Sequence, residues 1–252
     1  MPADPLVIIP TYNEVENLEA IVRAVSRHGY QVLIVDDASP DGTGDLADSL
    51  AAENPTSVAV LHRTEKSGLG PAYVAGFAWG LANGASILCE MDADFSHDPN
   101  SLSALVGAIE NGADVAIGSR YVAGGGVANW PWHRRALSRF GNIYAGFMLG
   151  TPVKDMTAGF RAFSSRALGV LEAESCDAAG YGFQVEMAWR AHLAGLDIVE
   201  RPITFRDRER GESKMDTRIA VEAMLLVTKW GLGRLVGRLP WTPNAYRSPT
   251  SV

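Results

Sequence analysis

The stretch Ile87-Leu88-Cys89-Glu90-Met91-Asp92-Ala93-Asp94 decides how the rest of this chain is read. A short apolar strand leaves a core and ends in two carboxylates spaced i and i+2. Side chains alternate along an extended backbone, so Asp92 and Asp94 point the same way just past the strand end. In an open α/β sheet that edge is where ligands sit. Two hard oxygen ligands on one side suit Mg²⁺ or Mn²⁺, which keeps its other positions for water and phosphate oxygens. A second reading is a helix start, because Asp94, Ser96 and Asp98 precede Pro99. Asp98 takes that cap. Asp92 lies too far upstream to share it, and two close carboxylates repel unless a cation lies between them. For the D-x-D alone the two readings stand level, because so short a motif recurs by chance.

Outward from this strand the chain alternates. Strands are expected at Leu6–Ile9, Gln31–Asp36, Val58–Leu61, Ser86–Met91 and Asp114–Gly118. Helices are expected between them at Val15–His28, Asp41–Glu53, Gly70–Ala82 and Pro99–Asn111. Near-continuous apolar strands between amphipathic helices predict an α/β fold with a parallel sheet covered on both faces. Beyond Arg120 the rhythm fails. Gly124-Gly125-Gly126 marks a mobile loop, Arg135–Leu149 and Phe183–Ala194 read as helices, and Gly159–Phe163 and Ile198–Phe205 as strands. No internal repeat or low-complexity segment is visible, and Pro240, Pro243 and Pro249 make 237–252 a loose tail. Residues 5–236 then form one domain.

At 252 residues and 47% apolar content, one substantial core can be buried. The two cysteines, Cys89 and Cys176, have neither metal-site nor disulfide spacing, which suits a reducing cytoplasm. Pro2-Ala3-Asp4-Pro5 leads straight into Leu6-Val7-Ile8-Ile9, which is not a signal peptide. No segment offers the roughly 18–20 uncharged apolar residues of a membrane span. The excess of arginine over lysine, 18 to 4, hints at a GC-rich bacterial genome.

The net charge of −7 hides an asymmetry. Residues 1–118 carry 4 basic against 17 acidic side chains; residues 119–252 carry 18 against 12. From Ser119 to Lys154 there is no acid, while Arg120, Arg134, Arg135 and Arg139 are present. The first half is built around a cation and the second around anions. Nucleic acid is not expected as the anion, because the chain as a whole is acidic and carries no nucleic-acid motif. A compact phosphate fits better.

Polar residues concentrate at strand ends: Pro10-Thr11-Tyr12-Asn13-Glu14, Asp36-Asp37-Ala38-Ser39-Pro40-Asp41-Gly42-Thr43, the Asp92/Asp94 pair, and Gly118-Ser119-Arg120-Tyr121. Ordinary turns and caps account for Thr11, Ser39, Pro40, Asp41 and Gly42, with Asn13 or Thr11 capping the first helix. They leave unexplained why acids recur at one edge. Asp36 beside Asp37 repels unless a ribose, a base N–H or a cation intervenes. A nucleoside diphosphate held through a metal answers all four clusters together.

These segments resemble family 2 glycosyltransferases with the GT-A fold. Trp132-His133-Arg134-Arg135-Ala136-Leu137-Ser138-Arg139, Asp155-Met156-Thr157-Ala158-Gly159-Phe160-Arg161, Gly182-Phe183-Gln184-Val185-Glu186 and Phe205-Arg206-Asp207-Arg208-Glu209-Arg210-Gly211-Glu212-Ser213-Lys214 narrow the likeness. They resemble the dolichol- and polyprenol-phosphate mannose synthases over about residues 5 to 235. The resemblance implies inverting transfer of mannose from GDP-mannose to a polyprenyl phosphate. By that analogy Pro10, Tyr12, Glu14 and Asp37 hold the base and ribose, with Asp92 and Asp94 on metal and diphosphate. Ser96 takes the third metal position, where some members carry a better ligand, Gln. Arg120, Arg134, Ser138, Arg208 and Lys214 face the acceptor phosphate, with Asp94, Arg120 and Arg208 as the catalytic set. Asp155 is read as a structural contact.

The chemistry agrees with the charge map. A monoalkyl phosphate has a second pKa near 6, so at neutral pH it is mostly a nucleophilic dianion that needs no general base. The site must supply cationic positioning of that dianion and neutralisation of the leaving diphosphate. The lipid end requires a membrane surface. Ile219–Val236, within an amphipathic helix at about 217–236, has charges interrupting its apolar run, which suits an interfacial helix or one packed on the sheet. Relatives that continue into membrane spans suggest a separate membrane-anchoring subunit here, and a peripheral place on the cytoplasmic face of the plasma membrane. Two rivals stand beside this reading. One is a sibling enzyme using UDP-glucose or another nucleotide sugar; the other is a non-catalytic nucleotide-sugar-binding scaffold.

Overall fold

Along the first strand, β1 (Leu6–Thr11), alternate side chains enter two different cores. Leu6 and Ile8 pack into one, Val7 and Ile9 into the other. The same split holds in β2 (Gln31–Asp36), where Leu33 and Val35 oppose Val32 and Ile34. A strand apolar on both faces needs helices on both sides, which is why its sequence does not alternate with polar residues. Each fully buried aliphatic here contributes roughly 1.5–3 kcal/mol relative to exposure.

A computed structural model describes residues 5–176, 180–207, 217–239 and 241–242. One face of the sheet is covered by α1 (Val15–Ser26), α2 (Thr43–Glu53) and α4 (Leu102–Glu110). The other is covered by α3 (Leu69–Ala82), α5 (Trp132–Leu149), α6 (Ser165–Leu171), α7 (Tyr181–Leu193) and α8 (Thr217–Leu235). The remaining strands are β3 (Val58–His62), β4 (Ile87–Glu90), β5 (Val115–Ser119), β6 (Gly126–Val127), β7 (Arg161–Ser164), β8 (Ile198–Pro202) and β9 (Thr204–Phe205). The main sheet runs β3-β2-β1-β4-β7-β5-β8, and β6 pairs with β9 apart from it.

The sheet is mostly parallel, as expected, with one exception. β7 runs antiparallel between β4 and β5, which leaves β4 and β5 parallel to each other. The C-terminal ends of β1, β2, β4 and β5 therefore share one edge. The expected last strand breaks at Ile203, so Thr204–Phe205 can pair with Gly126–Val127. That pairing pins the glycine loop expected to be mobile. Within the expected tail, Trp241 is buried, donates to Glu172 at 3.3 Å and lies under Arg190 at 5.1 Å, while 240 and 243–252 are outside the described residues.

Close packing explains two glycines. A Cβ on Gly76 of α3 would stand 2.5 Å from Ile8 Cγ2. Gly150 ends α5 at φ +67°, and a Cβ there would strike the Arg234 guanidinium at 2.3 Å. Arg234 thus sits at the C-terminal, negative end of α5, tying α8 to it. Trp189 donates to the Leu149 carbonyl at 3.2 Å and stacks on Trp230 at 5.6 Å, locking α5, α7 and α8 together.

Candidate active site

The loops after β1, β2 and β4 each hold one non-glycine residue in the left-handed region: Asn13 (φ 56°), Ala38 (φ 55°) and Phe95 (φ 60°). For Ala and Phe such a backbone costs about 1–3 kcal/mol, and strain of this kind gathers at functional edges. The loops also bind one another. Asp41 accepts from the Thr43 amide and hydroxyl and from the Val15 amide, while Thr43 accepts from the Glu14 amide. The α1 N-terminus is therefore satisfied by the neighbouring loop; neither Asn13 nor Thr11 caps it.

Asp36 and Asp37 do not need a ligand to coexist. Asp36 accepts from the hydroxyls of Thr11 (3.1 Å) and Ser39 (2.6 Å), and Asp37 pairs with Arg63 at 2.8 Å. The cation that relieves the pair belongs to the chain itself. Lys66 lies over the Tyr12 ring at 4.0 Å, and Glu14 accepts from Asn17 at 3.0 Å. Pro10, Tyr12, Glu14 and Asp37 are thus brought to one edge of the sheet, with Arg63 on Asp37 and Lys66 over Tyr12.

At the end of β4, Asp94 is buried and accepts from the Ser96 amide at 3.0 Å. Ser96 is buried as well. Asp92 is the more open carboxylate. Tyr73 donates to its Oδ1 at 3.5 Å, and His97 Nδ1 lies 3.8 Å from its Oδ2. Asp98 caps the following helical turn through the Asn100 amide, as expected. His97 was legible only as part of the motif. Its buried ring stacks on Phe160 at 4.9 Å and meets Phe205 edge-on at 5.4 Å.

Two buried groups here titrate abnormally. Burial pushes the Glu90 carboxyl from 4.5 up to about 7, although Arg161 draws it down. Burial pushes the His97 imidazole from 6.5 down to about 4. Between those values folded Glu90 holds more proton than the unfolded carboxyl, so its contribution to stability falls as pH rises from about 4.5 to 7. Folded His97 holds less, so its contribution grows as pH rises from about 4 to 6.5. The two oppose each other. Glu90→Gln should therefore make the melting temperature climb more steeply than in the parent between pH 5 and 6.5. An unchanged slope would mean Glu90 is ionised throughout.

The basic side is organised around two carboxylates. Arg120, read for the acceptor phosphate and the catalytic set, is held in a buried ion pair. Its backbone amide and Nε donate to Asp155 at 2.9 and 2.8 Å, and Nη2 reaches Asp155 at 2.6 Å and Thr157 at 2.8 Å. Asp155 is the structural contact read for it, held in turn by Glu200, which accepts from its amide at 3.0 Å. Arg134 grips both oxygens of Asp207 at 2.8 and 3.0 Å and lies over Trp130 at 4.1 Å. Ser138 accepts from the Tyr121 hydroxyl at 2.7 Å. Arg208 and Lys214 lie outside the described residues.

One aromatic floor connects the acidic and basic sides. Phe205 touches His97 at 5.4 Å, Trp130 at 5.4 Å and the Arg120 guanidinium at 5.7 Å. Sequence reasoning missed Phe205, Trp130 and Arg63 as site residues, since nothing in their local pattern shows a contact reaching across the sheet.

Among the described residues, no group of three or more His, Cys, Asp or Glu side chains is arranged to hold a metal ion. Asp92 and Asp94 nonetheless suit a hard divalent cation that takes one or two carboxylates and completes its shell with water and phosphate. The buried His97 Nδ1 has no hydrogen-bond partner among the described residues and lies 3.8 Å from Asp92.

The family profile described as Glycosyl transferase family 2 matches residues 6–171. A polyprenol monophosphomannose synthase of Mycolicibacterium smegmatis is 54% identical over 91% of this chain and 88% of its own length. An undecaprenyl-phosphate mannosyltransferase of Micrococcus luteus is 52% identical over 90% of the chain and 93% of its own. Among solved structures, a glucosyl-3-phosphoglycerate synthase from Mycobacterium tuberculosis, complexed with Mn²⁺, UDP-glucose and phosphoglyceric acid, superposes with a TM-score of 0.65. It is 18% identical over 94% of this chain and 80% of that one. A mannosyltransferase from Pyrobaculum calidifontis, in complex with GDP-Man and Mn²⁺, gives 0.55 at 16% identity over 94% and 76%. At these identities the structures speak for a shared GT-A fold, and the sequence relatives for kinship. The chain belongs to glycosyl transferase family 2.

Proposed function

We propose that this glycosyltransferase is a polyprenol monophosphomannose synthase, moving mannose from GDP-mannose to the phosphate of a polyprenyl lipid with inversion at the anomeric carbon. What carries the reading is the aromatic floor that sets the Asp92/Asp94 edge against an acid-free basic helix. The names of relatives more than 50% identical over nine-tenths of the chain support the same substrates.

Asp92 and Asp94, with Ser96 beside them, would hold Mg²⁺ or Mn²⁺. When bound, that ion neutralises charge on the departing diphosphate. Pro10, Tyr12, Glu14 and Asp37 form the nucleoside rim. On the acceptor side, Arg134 and Ser138 would line the approach for the lipid phosphate; Arg208 and Lys214, read for the same phosphate, are outside the described residues. Arg120 acts as a positioning residue, holding the β5 end against Asp155. No side chain need take a proton, because the acceptor arrives as a dianion.

The test is a thermal-shift panel of GDP, UDP and their sugars with and without Mn²⁺, followed by transfer of labelled mannose to a short polyprenyl phosphate. A ligand at 100 times its dissociation constant adds about 2.7 kcal/mol of stability. GDP and GDP-mannose should stabilise in a metal-dependent way and labelled lipid should form. Preference for UDP-glucose, or nucleotide binding without product, would replace this reading with one of its rivals.

A further inference from the structure

The stretch Asp155-Met156-Thr157-Ala158 lies between α5 and β7, and it is clamped along its length. Glu200 accepts from the Lys154 and Asp155 amides at 2.9 and 3.0 Å. The fully buried Arg161 guanidinium donates to the Met156 carbonyl at 2.8 Å and to the Ala158 carbonyl at 2.9 Å. Between these clamps Thr157 meets the inner face of α5, where its amide donates to the Asn142 side-chain oxygen at 3.3 Å. A backbone held at every residue from 154 to 158 fixes the Thr157 side chain before any ligand arrives.

The Thr157 oxygen accepts from Arg120 Nη2 at 2.8 Å and from Asn142 Nδ2 at 3.2 Å. Both donors are N–H groups, so neither bond can run the other way. The Asn142 amide is fixed in turn, because Nδ2 also donates to the Ser138 carbonyl at 3.0 Å while Oδ1 accepts from the Thr157 amide. Turning that amide over would set oxygen against oxygen at Ser138 and N–H against N–H at Thr157. A hydroxyl has two lone pairs and one hydrogen. With both lone pairs occupied, Thr157 has a single O–H left to give, and no acceptor among the described residues takes it.

The surroundings suit an anion at that hydrogen. Asp155 is taken by Arg120, and Glu200 by the turn amides. Ser138 accepts from the Tyr121 hydroxyl, which leaves its own hydrogen to donate as well. A groove of about 420 Å³ adjoins the cluster, walled by Tyr121, Asn142, Arg139 and Lys154, with no carboxylate in its lining. Thr157 itself is only half-buried. An alcohol would bring a hydrogen of its own to this wall of donors; a phosphate dianion brings acceptor oxygens alone.

We propose that Thr157 binds the acceptor phosphate through its hydroxyl hydrogen, and that Asn142 is the positioning residue that, with Arg120, compels the hydroxyl to donate. This rests on the acceptor being a lipid phosphate. It adds a neutral donor to the cations read for that phosphate, and it gives Arg120 a part in recognition although Asp155 already holds its charge.

The experiment titrates geranyl phosphate into the full chain by calorimetry with GDP and Mn²⁺ present, where no sugar can be transferred. Steady-state transfer from GDP-mannose to the same lipid is measured beside it. Thr157→Val, which keeps the shape and lacks the hydroxyl, should weaken geranyl phosphate about tenfold and raise its KM by the same factor. Its kcat should stay within about twofold, because the bond serves bound acceptor and transition state alike. Thr157→Ser should bind and turn over as the parent does, and GDP with Mn²⁺ should bind to every variant equally. Asn142→Leu frees the hydroxyl to turn and should weaken geranyl phosphate about threefold; added to Thr157→Val it should change nothing, since it acts through that hydroxyl. Two donors lose an acceptor in Thr157→Val, so its melting temperature should fall, and binding is compared well below the transition. Thr157→Ala, which loses the same hydroxyl, repeats the test if Thr157→Val does not fold. A threonine with a structural role alone would lower stability and leave the acceptor KM of the folded protein at the parent value. That result, or a defect in kcat and GDP binding in place of KM, would overturn the proposal. Additive losses in the double variant would remove the part given to Asn142. A parent that binds GDP with Mn²⁺ but neither binds nor mannosylates geranyl phosphate would sink the lipid-phosphate reading itself. A parent that does both, matched by Thr157→Val, would sink Thr157 alone.

Discussion

Asp94→Ala should reduce mannosyl transfer at least 1,000-fold, a loss of about 4 kcal/mol at the transition state. With one of its two carboxylates gone the site holds an octahedral ion far less tightly against water, so the diphosphate would leave with little counter-charge. The metal dependence of GDP binding should vanish in the same variant, which calorimetry with and without Mn²⁺ would register independently of turnover. The amide hydrogen bond that Asp94 accepts from Ser96 contributes about 1 kcal/mol to folding, a small loss beside the effect on turnover. Asp92 is more exposed and is tethered by Tyr73, so Asp92→Ala should weaken metal affinity without the same burial effect. Activity close to the parent in Asp94→Ala at saturating Mg²⁺ would remove the metal from this site.

Asp155→Ala should cost about 3–5 kcal/mol of folding stability, a large share of the 5–15 kcal/mol typical of a domain. The carboxylate is fully buried and answers the Arg120 guanidinium and backbone amide at once. Removing it strands a cation that is itself only 8% exposed. Urea unfolding would measure the loss. The double variant Arg120→Met with Asp155→Leu should recover most of the stability, since an apolar pair of similar volume carries no stranded charge. It should not recover turnover, because the β5 end would no longer be oriented by the ion pair. A loss below about 1 kcal/mol in the single variant would show that water reaches the pair.

Arg120 also shows what a reading of charge along the chain leaves out. An acid-free stretch from Ser119 to Lys154 is a true feature of the chain, and it does mark the anion-facing side. The carboxylate that claims Arg120 comes from residue 155, one position beyond that stretch, and meets it only because β5 and the segment before β7 are adjacent. Asp37 is the same case in reverse. Its neighbour Asp36 argued for an external cation, and Arg63, carried in just past β3, had already supplied one.

Local sequence alone determined the alternation of strands and helices through residue 118, because an apolar run flanked by turn residues has few other ways to bury itself. It also determined that acids gather at one edge, since every strand in a parallel set delivers its C-terminal loop to the same side. Tertiary structure decided what spacing cannot encode. It turned β7 antiparallel, so that β4 and β5 stayed parallel with that strand between them. It placed Phe205 and Trp130 against His97 and Arg120. It also left the outer face of α5 uncovered beside α8. Those outcomes depend on pairings between residues tens of positions apart, where the free energy belongs to the contact and to neither segment by itself.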